Sequence, residues 1–308
     1  MSVQQPDTVI PDSESSSLSG GLVGALPPAL RDYAQLARFD RPVGWQLLFI
    51  PCLAATLLAG SGPQWALLGW FLVGSVAMRG AGCVYNDIVD ARLDAKVART
   101  ASRPVASGRV GKRAAWTFLI ALALVGLVVL LQLRRPAQLI ALTSLALVAA
   151  YPFMKRITWW PQAWLGLVFN WGALVGWAQL RDGRWDVALA LYAGCALWTV
   201  GYDTIYALQD REDDALVGIR SSALRMGGHV HTGIAVFYAG ALALWALAFW
   251  WLRADAVALL ALLPVALHLA WQVVTLEPQD EANPLARFRA NRWAGLLLAL
   301  ACFTVGNA

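Results

Sequence analysis

The sequence predicts an all-α, polytopic membrane protein, a bundle of about nine transmembrane helices. Three observations lead there. The chain of 308 residues is 59% hydrophobic and only 14% charged, with a mean hydropathy of +0.56, whereas an ordinary soluble domain carries about 25% charge. Apolar stretches of roughly 17 to 22 residues recur along most of its length, enough to cross a hydrocarbon core of ~30 Å as helices. The basic residues fall mainly into alternate links between those stretches, as membrane topology requires.

Residues 1–34 read as a disordered polar tail, with a cluster at Ser13, Ser15, Ser16, Ser17 and Ser19. The tail lacks the basic start and apolar core of a secretory signal. It also makes a poor mitochondrial presequence, because it carries Asp7, Asp12 and Glu14 and no arginine before Arg31. Residues 35–308 read as one intramembrane domain, with spans near 43–59, 65–85, 114–133, 137–153, 159–180, 187–208, 233–252, 256–276 and 293–308. With a cytoplasmic N-terminus, 18 of the 24 basic residues lie on the cytoplasmic side. Arg134, Arg135, Arg181, Arg184 and Arg253 lie opposite, and Arg79 lies inside the second span. Trp159, Trp160, Trp250 and Trp251 stand at span ends, where indoles anchor a helix at the interface.

The second span runs into Tyr85-Asn86-Asp87-Ile88-Val89-Asp90-Ala91-Arg92-Leu93-Asp94. If the helix continues, Asn86, Asp90 and Asp94 form one polar stripe. Charged carboxylates in a row repel one another, and a helix C-terminus is the wrong end for anions. A cation should compensate, and Mg²⁺ suits oxygen ligands combined with phosphates. A second cluster follows the sixth span, where Asp203, Tyr206, Asp210 and Asp214 share a helical face. An acid at membrane depth, as Asp203 is read to be, marks function by default.

The two clusters match. Asp90-x-x-x-Asp94-Ala95-x-Val97 parallels Asp210-x-x-x-Asp214-Ala215-x-Val217, and Arg99 or Arg220 follows. Both come after even-numbered spans, so both belong to one face of the membrane. Arg99 and Arg103 follow the first cluster, and Lys155 and Arg156 end the fourth span on that face. Acidic helix ends loaded with Mg²⁺, together with these cations, describe a clamp for a lipid diphosphate. Arg79 sits in an apolar run and needs an anion, either an internal partner such as Asp203 or a substrate carboxylate.

Other signals lead nowhere. Cys52, Cys83, Cys195 and Cys302 lie singly in apolar stretches and show no metal-binding spacing. His229 and His231 lack a third ligand, and His268 reads as a satisfied bundle residue. The net charge of +5 forms no soluble basic domain, so no nucleic-acid partner is expected. An ion-coupled transporter is the competing class, but transporters hold their ions near the bilayer midplane, and most acids here lie at helix ends.

From about Arg38 onward the chain resembles the intramembrane aromatic prenyltransferases of the UbiA type. The matching segments are Arg38-x-Asp40-Arg41-Pro42-Val43-Gly44, Arg79-Gly80-Ala81-Gly82-Cys83-Val84, Asn86-Asp87-x-x-Asp90-x-x-x-Asp94 and Arg99-Thr100-x-x-Arg103-Pro104. Tyr151-Pro152-Phe153-Met154-Lys155-Arg156 and Tyr202-Asp203-Thr204-x-Tyr206-Ala207-x-x-Asp210 are closest to the branch that builds ubiquinone precursors. The resemblance implies a nine-helix bundle in a bacterial inner membrane, Mg²⁺ dependence, and polyprenyl diphosphate and 4-hydroxybenzoate as substrates. It implies metal ligation by Asn86, Asp90, Asp94, Asp210 and Asp214, with Asp213 a rival to Asp214. It further implies diphosphate binding by Arg99, Arg103 and Lys155. Beside these, Arg79, Tyr151 and Tyr206 are candidate substrate-binding residues and Asp203 a candidate catalytic one.

Overall fold

A computed structural model of the chain describes residues 23–60, 62–96, 100–209, 211, 215, 218–280 and 282–307. All regular structure among them is helical: α1 (Pro28–Leu36), α2 (Val43–Leu58), α3 (Trp65–Asp94), α4 (Lys112–Leu131), α5 (Arg135–Ile157), α6 (Pro161–Leu180), α7 (Trp185–Ala207), α8 (Ser222–Met226), α9 (Val230–Arg253), α10 (Ala256–Leu260), α11 (Leu263–Val274) and α12 (Asn283–Asn307), with a 3₁₀ turn at Gly227–His229. Prolines open α1, α5, α6 and α11, where the missing N–H costs no helical bond.

Among the described residues, five helical stretches are long and apolar enough to cross a membrane: Trp65–Asp94, Lys112–Leu131, Arg135–Ile157, Ser222–Arg253 and Ala256–Val274. Val43–Leu58 is apolar but shorter. Most of the spans read from the sequence coincide with one helix each. Two boundaries move. The second span continues as helix through Asn86 and Asp90 to Asp94, and α12 begins at Asn283, well before the apolar run that opens at Trp293. The eighth span is broken into α10 and α11, with Pro264 in the first turn of α11. Helix α1 lies at the end of the stretch read as tail, with Ala34 and Leu36 buried.

The chain divides into two compact units. The first takes residues up to Gly44 and Val76–Gly126. Its core is built by Leu36 at the end of α1 and Ala37 after it, Ala81, Val84, Ile88 and Ala91 of α3, Val105 and Val110, and Ala115 and Leu122 of α4. The rings of Tyr33 and Phe118 meet edge to face at 5.1 Å.

The second unit takes Trp45–Ser75 and Leu127–Ala308. Its centre is α7, packed on α6, α9 and α12, with Leu191, Trp198, Tyr202 and Ile205 buried. Small residues let the helices close up. A β-carbon on Gly166 of α6 would stand 2.7 Å from the Ala196 carbonyl oxygen of α7. Polar side chains tie the interior together. Asn291 accepts from Trp198 Nε1 at 2.8 Å and donates to Gln272 at 2.9 Å, and Tyr238 donates to Gln272 at 3.0 Å. In a lipid setting such groups must find partners inside the protein.

The outer faces are apolar. Ile120, Leu124, Val128 and Leu131 of α4 and Leu139, Leu142 and Leu145 of α5 are exposed, as lipid-facing residues should be. Trp159, Trp250 and Trp251 are exposed at helix ends, in accord with their reading as anchors. The four cysteines are buried and unbridged, and His268 is satisfied by the Ala290 carbonyl at 3.1 Å.

Candidate functional site

The acidic row of the first unit occupies the last turns of α3. Asp87, Asp90 and Asp94 are 2%, 0% and 5% exposed, so these carboxylates are not a solvated fringe. Buried carboxylates need compensation, and arginine supplies it. Arg38 lies in the turn after α1 and donates through Nη2 to both oxygens of Asp87 at 3.0 Å. Arg103, from the link before α4, donates to Asp94 at 3.0 Å and reaches Asp87 at 3.5 Å. Thr100 donates its hydroxyl to the Asp94 carbonyl at 2.9 Å and closes the end of α3.

Arg38 takes a left-handed conformation, φ 58°, unusual for a residue with a side chain. The same residue donates Nη1 to the Gln35 carbonyl at 2.8 Å. Burial alone would weaken its charge, yet the Asp87 carboxylate outweighs that and holds its pKa above the usual arginine value. Neither Arg38 nor Asp87 was singled out as a site residue from the sequence. They are 49 positions apart, and no local pattern pairs them.

Arg79 is half-buried, two turns before Asn86 on α3. Its guanidinium lies over bare backbone, because a β-carbon on Gly44 would stand 2.7 Å from Nε. Asn86 is half-buried one turn before Asp90.

In the second unit, Asp203 and Tyr206 are half-buried near the C-terminal end of α7. The Tyr206 ring lies 4.7 Å from that of Phe288, and the Tyr202 ring 5.9 Å from it. Tyr151 and Lys155 are half-buried in the last turns of α5. Arg220, the basic residue that follows the second acidic cluster in sequence, meets the end of α5. Its N–H donates to the Lys155 carbonyl at 3.2 Å, Nη1 donates to the Ile157 carbonyl at 2.7 Å, and the guanidinium lies over the Trp159 ring at 5.5 Å. Capping the last carbonyls of a helix is a favoured use of a cation. Arg99, Asp210, Asp213 and Asp214 lie outside the described residues.

Among the described residues, no three or more His, Cys, Asp or Glu side chains come together as a metal cage. The first row still has the right donor chemistry for Mg²⁺, which commonly takes one or two carboxylates and completes its shell with water and substrate phosphate.

A model of the UbiA prenyltransferase family matches residues 48–296. The chain belongs to this family. A mitochondrial 4-hydroxybenzoate polyprenyltransferase of Drosophila pseudoobscura pseudoobscura is 42% identical over 290 residues, covering 93% of this chain and 73% of that one. The mitochondrial 4-hydroxybenzoate polyprenyltransferase of Homo sapiens is 40% identical over 314 residues, covering 99% and 83%. Among solved structures, a UbiA homolog from Aeropyrum pernix K1 superposes with a TM-score of 0.69 at 23% identity, over 84% of this chain and 97% of that one. A UbiA homolog from Archaeoglobus fulgidus, bound to GPP and Mg²⁺, gives a TM-score of 0.67 at 16% identity, over 90% and 100%. At those identities the structures establish the family's helical membrane fold, which this chain shares as a multi-pass membrane protein.

Proposed function

We propose that the chain transfers a polyprenyl group from polyprenyl diphosphate to the ring carbon ortho to the hydroxyl of 4-hydroxybenzoate, a step of ubiquinone biosynthesis. The carrying observation is the buried row of Asp90 and Asp94 with Arg103 against it. It occurs in a family member about 40% identical, over nearly its whole length, to enzymes described by that activity.

Asn86, Asp90 and Asp94 would hold one divalent ion, which we take to be Mg²⁺, and Asp210 and Asp214 would serve the second motif. The ion, when bound, supplies neutralising charge to the diphosphate. Arg99, Arg103 and Lys155 bind the diphosphate oxygens and stabilise negative charge as the allylic C–O bond breaks. The bond's electrons leave with the diphosphate. Tyr151 and Tyr206 line the substrate beside it. The apolar helices keep water from the electron-poor prenyl carbon. The ring carbon ortho to the phenol forms the new C–C bond, and its proton passes to Asp203 or to the released diphosphate.

Arg79 binds the carboxylate of 4-hydroxybenzoate, with Asn86 and Asp203 beside the ring. It lies about 10 Å along the helix from Asn86, at ~1.5 Å per residue, and a guanidinium fork matches a planar carboxylate. Arg79→Lys should raise KM for 4-hydroxybenzoate far more than KM for polyprenyl diphosphate. Equal increases in both would remove Arg79 from acceptor binding.

The reading includes a cytoplasmic N-terminus, supported by the uneven distribution of basic residues. It also includes a bacterial inner membrane, the setting the resemblance implies, although the relatives described above are mitochondrial proteins. The direct test is a membrane assay with 4-hydroxybenzoate, a polyprenyl diphosphate and Mg²⁺. Product is expected with Mg²⁺ and none with excess EDTA. Absence of product with Mg²⁺ present would defeat the proposal.

A further inference from the structure

A cavity of about 330 Å³ lies in the second unit, lined by Arg181, Arg184, Leu252, Arg253 and Gly306. It has no part in the chemistry above. Arg184 precedes the first residue of α7, while Asp203 and Tyr206 lie near the last, a separation of about 30 Å along the helix.

The three arginines share an arrangement. Each donates to a carbonyl at or just past the C-terminal end of a different helix. Arg181 Nε donates to Ala59 just after α2 at 2.7 Å, Arg184 Nη2 to Trp251 in α9 at 2.6 Å, and Arg253 Nε to Val305 in α12 at 2.7 Å. Helix C-terminal carbonyls lack intrahelical partners and carry partial negative charge, so these bonds explain why the side chains gather.

They do not account for the whole of their capacity. Arg181 and Arg253 spend only Nε, and their terminal nitrogens carry no hydrogen bond within the described residues. Among the described residues, only Arg184 of the three has a carboxylate partner. Asp186 pairs with it at 2.9 Å, Asp182 is taken by Arg134 at 2.9 Å, and Asp255 accepts from the Val257 N–H at 2.9 Å. Guanidinium groups that line a shared space match the oxygens of a phosphate.

The setting indicates the source of that phosphate. Trp250 and Trp251, exposed beside Arg253 at the end of α9, mark the level where indoles meet lipid headgroups. Guanidiniums at that level meet lipid phosphates with charge-assisted hydrogen bonds on either face of a bilayer, and about 300 Å³ is the lower range for a ligand site. Gly306 adds no side chain to the wall, and the closeness of α12 to the end of α2 demands a glycine there, since a β-carbon would stand 2.3 Å from the Leu57 carbonyl oxygen.

We propose that Arg181, Arg184 and Arg253 form a phosphate site that holds the headgroup of an anionic phospholipid. The test uses the purified full chain in a neutral detergent, with lipid retention read by native mass spectrometry. Phosphatidylglycerol should be retained at least tenfold more than diacylglycerol. Arg181→Gln with Arg253→Gln, which keeps an amide N–H for each carbonyl, should reduce that retention at least tenfold while prenyl transfer continues. The wild-type comparison decides even if the double variant fails to fold. Equal retention of the two lipids overturns the site. Retention unchanged in a folded double variant overturns the role of the arginines. Inorganic phosphate that displaces phosphatidylglycerol and alone gives the same thermal stabilisation overturns the lipid assignment.

Discussion

Asp40 shows how a single buried carboxylate sets a pH dependence in this fold. It lies in the turn between α1 and α2 with Oδ1 buried and unbonded among the described residues, and its nearest cation, Arg41 Nε, is 3.6 Å from Oδ2. Desolvation therefore raises its pKa despite the opposing pull of Arg41 and Arg38. From the ordinary carboxylate pKa of about 4 up to the raised value, the unfolded chain has already released a proton that the folded chain retains. Stability therefore falls as pH rises through that window, and the loss is complete above the folded pKa. Asp40→Asn should raise the apparent Tm in detergent at pH 7 and flatten its decline above pH 4. A lower Tm at pH 7 would contradict this. Arg38 acts in the opposite sense. With Asp87 almost fully buried behind it, Arg38→Ala should cost about 3 kcal/mol, the usual penalty for stranding a buried charge, read as a drop in Tm and in folded yield.

The helices α6 and α7 meet through backbone at Gly166, where a β-carbon would stand 2.7 Å from a carbonyl oxygen that cannot turn aside. Gly166→Val should yield little folded protein, as judged by monodisperse elution from membranes, whereas Gly62→Ala alters an uncrowded position and should be far milder, with only the strain of its positive φ. The existence of most helices was legible in the sequence because membrane spans need long apolar runs. Their ends were less so. Helix α12 starts ahead of its apolar run because Arg287 finds the Trp271 ring at 4.2 Å and Asn291 finds Gln272, partners supplied by another helix. The row Asn86, Asp90 and Asp94 was readable from its four-residue spacing, on the condition that the helix continued, and α3 meets it. The burial of Asp87 and Asp94 against arginines was not readable, because Arg38 reaches Asp87 across 49 residues and Arg103 reaches Asp94 from a link. Arg220 was read only as the basic residue that follows the second acidic motif, and its bonds to the end of α5 answer to no local sequence pattern.

At the scale of the whole molecule, the basic residues give the orientation proposed for the chain, with the acidic motifs toward the cytoplasm. Cysteines introduced at Ser107 and at Gly218 should label from the cytoplasmic side only, and labelling from the other side would reverse the topology. The account as a whole rests on the carboxylates at the end of α3 acting in prenyl transfer and not merely in structure. The most direct measurement is Mg²⁺-dependent transfer to 4-hydroxybenzoate by Asp90→Asn in native membranes, normalised to folded protein. Asparagine keeps the size of the side chain, removes its charge and turns one acceptor oxygen into an NH₂ donor. The account predicts a loss of kcat/KM of at least about 100-fold, a barrier increase near 3 kcal/mol, with a monodisperse elution profile like that of the wild type. A well-folded Asp90→Asn protein that transfers at close to the wild-type rate would contradict it.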